Sequence, residues 1–156
     1  MEGMEMSAPT HSDQDLSRRE EVTISGAAMS GAPWGAAAVT GGVVTLGDLG
    51  LHLIGTSLGT GALTGSLALG VVAFFVVAAV GALWRGKGRA IRWARRNPWR
   101  FAVMPAVATA VIAFVLAVVT GGGMIDGVLS GLWHGGAVFG LTGVAGAVIK
   151  SRKQAT

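Results

Sequence analysis

Cysteine is absent from the 156-residue sequence. That excludes disulfides, thiolate nucleophiles and cysteine-ligated zinc. Charge is scarce as well. Asp, Glu, Lys and Arg make up 13% of the chain, against about 25% in an ordinary soluble domain. Half of the residues are apolar, and a soluble fold of this length could not cover them without leaving aggregation-prone patches. Proline is rare, and the 26 glycines follow no triplet repeat, so a collagen-like fibre is excluded too. There is no P-loop, no nucleophile elbow and no HExxH pair. GTGALTG (59–65) is one residue too long for a dinucleotide fingerprint, and no strand precedes it. The expectation is a non-enzymatic protein with no catalytic residue, cofactor or metal.

What the chain does have is long uncharged stretches. Residues 61–84 (GALTGSLALGVVAFFVVAAVGALW) and 101–120 (FAVMPAVATAVIAFVLAVVT) hold no charged residue. As helices rising about 1.5 Å per residue, both match the ~30 Å hydrocarbon core of a bilayer. Residues 124–149 form a weaker third span, interrupted by Asp126 and His134. Residues 33–54 form the weakest, with five glycines, Asp48 and His52. Strict two-residue alternation is missing, which argues against a membrane β-barrel. A backbone in lipid must satisfy its own polar groups, so the runs read as helices. The expected fold class is an all-α integral membrane protein, a small bundle of four transmembrane helices. The alternative is three, with 33–54 lying in the interface.

Apart from Asp48 and Asp126, charge is confined to the segments between and outside these runs. Residues 1–21 carry six acids and two bases, and 1–32 lack helical periodicity, so the sequence predicts a disordered acidic tail. Residues 85–100 (RGKGRAIRWARRNPWR) carry seven bases and no acid, and Lys150, Arg152 and Lys153 make 150–156 basic. The excess of Lys and Arg predicts that loop 85–100 and the C-terminus are cytoplasmic, in the plasma membrane. With four spans the N-terminal tail is cytoplasmic as well. Trp84 and Trp99 flank the loop, where interfacial anchors belong.

Three groups of residues are candidates for function. Gly127, Gly131 and Gly135 recur every four residues, with Gly136 and Gly140 on a neighbouring row and Ser57, Gly61 and Gly65 on another. This spacing aligns small residues along one side of a helix and predicts close helix–helix contact, within the bundle or with another copy or membrane protein. Asp48 and His52 are four residues apart, and Asp126 and His134 are eight apart. Ionisable groups in a span are expensive, so these four are candidates for an ion or proton path; their spacing matches no metal motif. Arg85, Lys87, Arg89, Arg92, Arg95, Arg96 and Arg100 interleave with Trp93 and Trp99. Such a segment suits anionic lipid headgroups, and the same chemistry suits nucleic acid.

The helix–basic loop–helix pattern over residues 61–120 resembles conjugative pilin subunits. The Ala/Gly/Val/Arg composition is similar to that of small membrane proteins that help plasmids spread in mycelial actinobacteria. These likenesses imply an accessory component of DNA transfer or of another envelope machine. Two further readings follow from the residues themselves. One is a holin-like pore former built on the glycine rows. The other is a small oligomeric transporter or channel using the intramembrane Asp and His residues.

Overall fold

The computed structural model describes residues 11–55 and 59–152, with side chains described from Arg19 onward. Among the described residues every regular element is helical: α1 (His11–Met29), α2 (Trp34–Gly55), α3 (Thr60–Arg85), α4 (Arg89–Arg96), α5 (Pro98–Val119) and α6 (Gly123–Arg152). Four of them, α2, α3, α5 and α6, are long and apolar enough to cross a membrane. They form two antiparallel hairpins, α2–α3 and α5–α6. Helix α3 joins the hairpins by packing on both α5 and α6, whereas α2 touches α3 alone. Val39, Val43, Leu46, Val107, Val111, Leu132 and Trp133 point outward, so the apolar surface covers the outside of the bundle.

The α5–α6 hairpin follows from its turn. Thr120 closes α5. The Gly121 N–H then donates to Val118 O at 3.2 Å and the Gly122 N–H to Ala117 O at 2.9 Å, the paired bonds of a Schellman ending. Gly121 (φ 93°) and Gly123 (φ 76°) hold left-handed conformations that a side chain would strain. At the other end of α5, Pro98 occupies the first turn, where its missing N–H is harmless. The helix starts three residues earlier than the sequence predicts. Pro105 therefore lies well inside it, and the Phe101 carbonyl loses its usual i+4 donor.

Two segments differ from expectation. The acidic tail, expected to be disordered over 1–32, is helical over His11–Met29. Its Ser25, Ala28 and Met29 are buried at the basic end of the bundle, where α1 meets α3, α4 and α5. Tertiary burial thus supports a helix that local periodicity does not announce. The basic segment 85–100, expected as a loop, contains α4. Ile91 and Ala94, three residues apart, are buried on its inner side, while Arg89, Arg92 and Arg96 face outward. Gly88 (φ 108°) supplies the turn that reverses the chain from α3 into α4. The core at this end is built largely of alanine, with Ala28, Ala78, Ala79, Ala82 and Ala94 surrounding Leu83, Ile91 and Phe101. Small side chains let the helices come close, so a few large ones can fill the remaining space.

Candidate functional site

The basic residues do not all serve one purpose. Arg95 turns inward. Its Nε donates to Leu83 O at 2.7 Å, and its Nη2 donates to Trp84 O at 3.1 Å and Gly86 O at 3.2 Å. It thereby satisfies carbonyls that the end of α3 leaves open and ties α4 to α3. The sequence groups Arg95 with the headgroup ligands; the structure makes it a capping residue. Arg100 is held by an ion pair with Glu21 of α1. Arg85, Lys87, Arg89, Arg92 and Arg96 remain exposed.

Arg96, Trp99, Arg100, Lys150 and Ser151 converge on a cavity of about 430 Å³ where the start of α5 meets the end of α6. Asn97 precedes α5 without a side-chain cap. The N–H groups of Trp99 and Arg100 in that first turn therefore have no intrahelical acceptor. Lys150 Nζ donates to the Arg96 carbonyl at 3.4 Å, so its ammonium lies beside the opening. Cations, free N–H donors and a hydroxyl around one concave space make a site for an anionic oxygen group. Trp99 packs on Phe139 with ring centroids 5.4 Å apart and closes one wall. Trp34, Trp84, Trp93 and Trp99 all lie at this end of the bundle, leaving Trp133 alone in the first half of α6.

The four ionisable candidates on α2 and α6 separate into two pairs. On the α2–α3 side, the Ser66 hydroxyl donates to Asp48 Oδ2 at 2.6 Å, and His52 Nε2 stands 3.9 Å from the same oxygen. Ser66 is fully buried while Asp48 stays partly exposed, and this bond fastens α2 to α3. The His52 distance is beyond hydrogen-bond reach. On the opposite side of α3, Asp126 and His134 line a separate cavity between α3, α5 and α6. Since α2 touches neither α5 nor α6, the pairs do not join into one path. Among the described residues, no three Asp, Glu or His side chains converge as metal ligands.

The glycine rows divide in the same way. Gly127, Gly131 and Gly135 are buried against α5. A Cβ at Gly131 would lie 2.8 Å from Ala110 O, and one at Gly135 would lie 2.9 Å from Ala106 O. Gly61, Gly65, Gly136 and Gly140 are not close-contact positions among the described residues, because a Cβ there meets nothing within 4 Å. Gly136 follows the contact residue Gly135 by about 100° of rotation, which carries it off the interface. Ser57 falls outside the described residues. Sequence reasoning passed over the α2–α3 contact, where Gly41 and Gly70 approach so closely that a Cβ on either would come within 2.8 Å of the other's carbonyl oxygen. The four-residue spacing of Ser66 and Gly70 was the available signal. It also missed Gly143 and Gly146, whose Cβ positions are taken by Trp99 and Pro98.

Compared with known proteins, the chain matches no family model, no curated protein and no solved structure.

Proposed function

We propose that this chain is a non-enzymatic, four-span protein of the cytoplasmic membrane whose cytoplasmic face binds anionic phospholipid headgroups. The carrying observation is the cavity where Arg96, Lys150 and Ser151 surround the uncapped first turn of α5. A phosphodiester there meets two cations that have no ion-pair partner among the described residues, and backbone N–H donors, beside a tryptophan suited to the headgroup zone. Each cation near an anionic surface contributes about 1 kcal/mol. Exposed Arg85, Lys87, Arg89 and Arg92 extend the attraction over the same end of the bundle. The closely packed α2–α3 and α5–α6 hairpins give this face a rigid support. Membership of a DNA-transfer or envelope machine is the finer form of the proposal. A rigid cationic face carrying exposed tryptophans can receive a nucleic-acid phosphate chain as well as a lipid surface.

The test is thermal unfolding in nanodiscs of phosphatidylcholine, with phosphatidylglycerol introduced stepwise and duplex DNA or inorganic phosphate added in separate arms. Phosphatidylglycerol is expected to raise the melting temperature, and the double substitution Arg96→Gln/Lys150→Gln should remove most of that rise. A melting temperature indifferent to phosphatidylglycerol, with DNA or free phosphate giving the shift instead, would reject the lipid assignment.

A further inference from the structure

The cavity holding Asp126 and His134 lies at the end of the bundle opposite the basic segment. It has a volume of about 360 Å³ and lies between the start of α3, the end of α5 and the first half of α6. Three residues of α6 line it at four-residue spacing: Asp126, Ser130 and His134. That spacing places them in one row along the helix. Thr60 and Thr64 face them from α3, and Thr120 from the end of α5. Gly61, Gly65 and Ala68 complete the α3 side with almost no side-chain bulk. An otherwise apolar bundle thus concentrates polar side chains and small residues around one opening.

The row reaches deep. His134 lies eight residues beyond Asp126, or about 12 Å along the axis, and about 16 Å from the start of α6, roughly half of a ~30 Å hydrocarbon core. Its ring orientation is fixed. His134 Nδ1 is 2.8 Å from the Ser130 carbonyl oxygen, which can only accept, so Nδ1 carries a hydrogen. The second nitrogen, Nε2, is then the one that offers a lone pair in the neutral ring. Beyond His134 the row changes character. Val138, four residues on, is fully buried, and so is Thr142 after it.

We infer that this cavity is an aqueous vestibule, entered from the end opposite the basic segment, that delivers water and protons to His134 Nε2 near the middle of the membrane and is closed behind it by Val138. The ligand class follows from the lining. The wall offers one carboxylate, four hydroxyls and an imidazole lone pair, and among the described residues no Lys, Arg or Glu lines it. Among the described residues, Asp126 is the only other titratable group on the wall, and α3 and α5 contribute hydroxyls and no charge. Such a wall, with a carboxylate and no described cation, favours protons and hydrogen-bonded water over an anion. The volume is enough for several waters. A hydrated vestibule also accounts for a polar imidazole at mid-membrane depth, where contact with lipid would be costly. This inference stands independently of headgroup binding, since the two sites occupy opposite ends of the bundle.

The chain's lack of cysteine allows a direct test. Single substitutions Asp126→Cys, Ser130→Cys and His134→Cys are placed in the full chain in vesicles and treated with a membrane-impermeant thiol reagent. Leu132→Cys and Trp133→Cys, which point out of the bundle, serve as comparison. A thiol reacts as its thiolate, which water supports and lipid does not. Positions 126, 130 and 134 should react within about tenfold of one another, and positions 132 and 133 about a hundredfold more slowly. Reaction confined to position 126, with 130 and 134 as slow as 132 and 133, would overturn the vestibule. A second measurement needs no change at the site. In the His11→Gln/His52→Gln chain, with His134 the one remaining histidine, the ¹⁵N signal of Nε2 should follow the pH of the solution on that side. A signal constant across the pH range would overturn proton delivery even if the cysteine variants failed to fold.

Discussion

At the scale of single residues, Arg92 and Arg95 show how little a charge count says about role. They lie three residues apart on α4, yet one faces outward and the other donates to three carbonyls at the end of α3. Removing Arg95 leaves those acceptors without a charged donor, and one such bond contributes about 1.5–3 kcal/mol. Arg95→Ala is therefore expected to destabilise the folded chain by about 2 kcal/mol, because partial rehydration at the exposed end of α3 offsets some of the loss. Arg92→Ala should stay within about 0.5 kcal/mol, as surface changes do. Arg95→Lys should resemble Arg95→Ala, since a single ammonium cannot span the three carbonyls that the planar guanidinium reaches. Unfolding in mixed micelles followed by circular dichroism measures all three. Equal losses for Arg92→Ala and Arg95→Ala would remove the capping role. The sequence presents seven bases in 85–100 as equivalent, because nothing local states which one meets the end of the preceding helix. The Asp48–Ser66 bond was hidden for the same reason: its partners are eighteen residues apart, and nothing local pairs Ser66 with Asp48.

At the scale of elements, the apolar runs gave away α2, α3, α5 and α6 to within a few residues, because hydrocarbon thickness sets a length that sequence can be measured against. Helices α1 and α4 were not legible. Their helical state depends on burying a few small residues at the basic end, and that information lies in the partner helices. The glycine spacing was legible as a row but not as a face. Gly131 and Gly136 separate the two ideas. A methyl on Gly131 would lie 2.8 Å from the Ala110 carbonyl oxygen, a backbone atom that moves only if the helices part, whereas a methyl on Gly136 enters open space. Gly131→Ala should cost about 1–3 kcal/mol through overpacking. Gly136→Ala should be neutral or stabilising by up to about 1 kcal/mol, because alanine is the better helix former. Opposite signs in the same unfolding assay are the expected outcome. A shared sign would mean that α5 and α6 meet on another face.

At the scale of the whole molecule, the charged and apolar parts determine how the bundle would sit in a bilayer. The even number of long apolar helices returns the chain to the side from which α2 departs. That brings the end of α1, all of α4 and the end of α6 to one level. The exposed bases of 85–100 share that level, as do Arg152 at the end of α6 and four of the five tryptophans. Moving this end across a membrane would carry many cations through hydrocarbon, so it should remain in the cytoplasm. The position of α2 bears on the choice between four spans and three. It is the most outward helix, held by α3 alone, yet Asp48–Ser66 and the Gly41–Gly70 contact fix it along α3 instead of across it. A helix lying in the interface could not keep both contacts. Single cysteines report the outcome in intact cells treated with an impermeant reagent. Met124→Cys, beyond the α5–α6 turn, should be labelled. Lys87→Cys should be protected, and so should Ser30→Cys, just before α2. Labelling at Ser30 with protection at Lys87 would place α2 outside the membrane core and leave three spans. Labelling at Lys87 would invert the molecule, putting the headgroup cavity outside the cell and the mouth of the His134 vestibule within it.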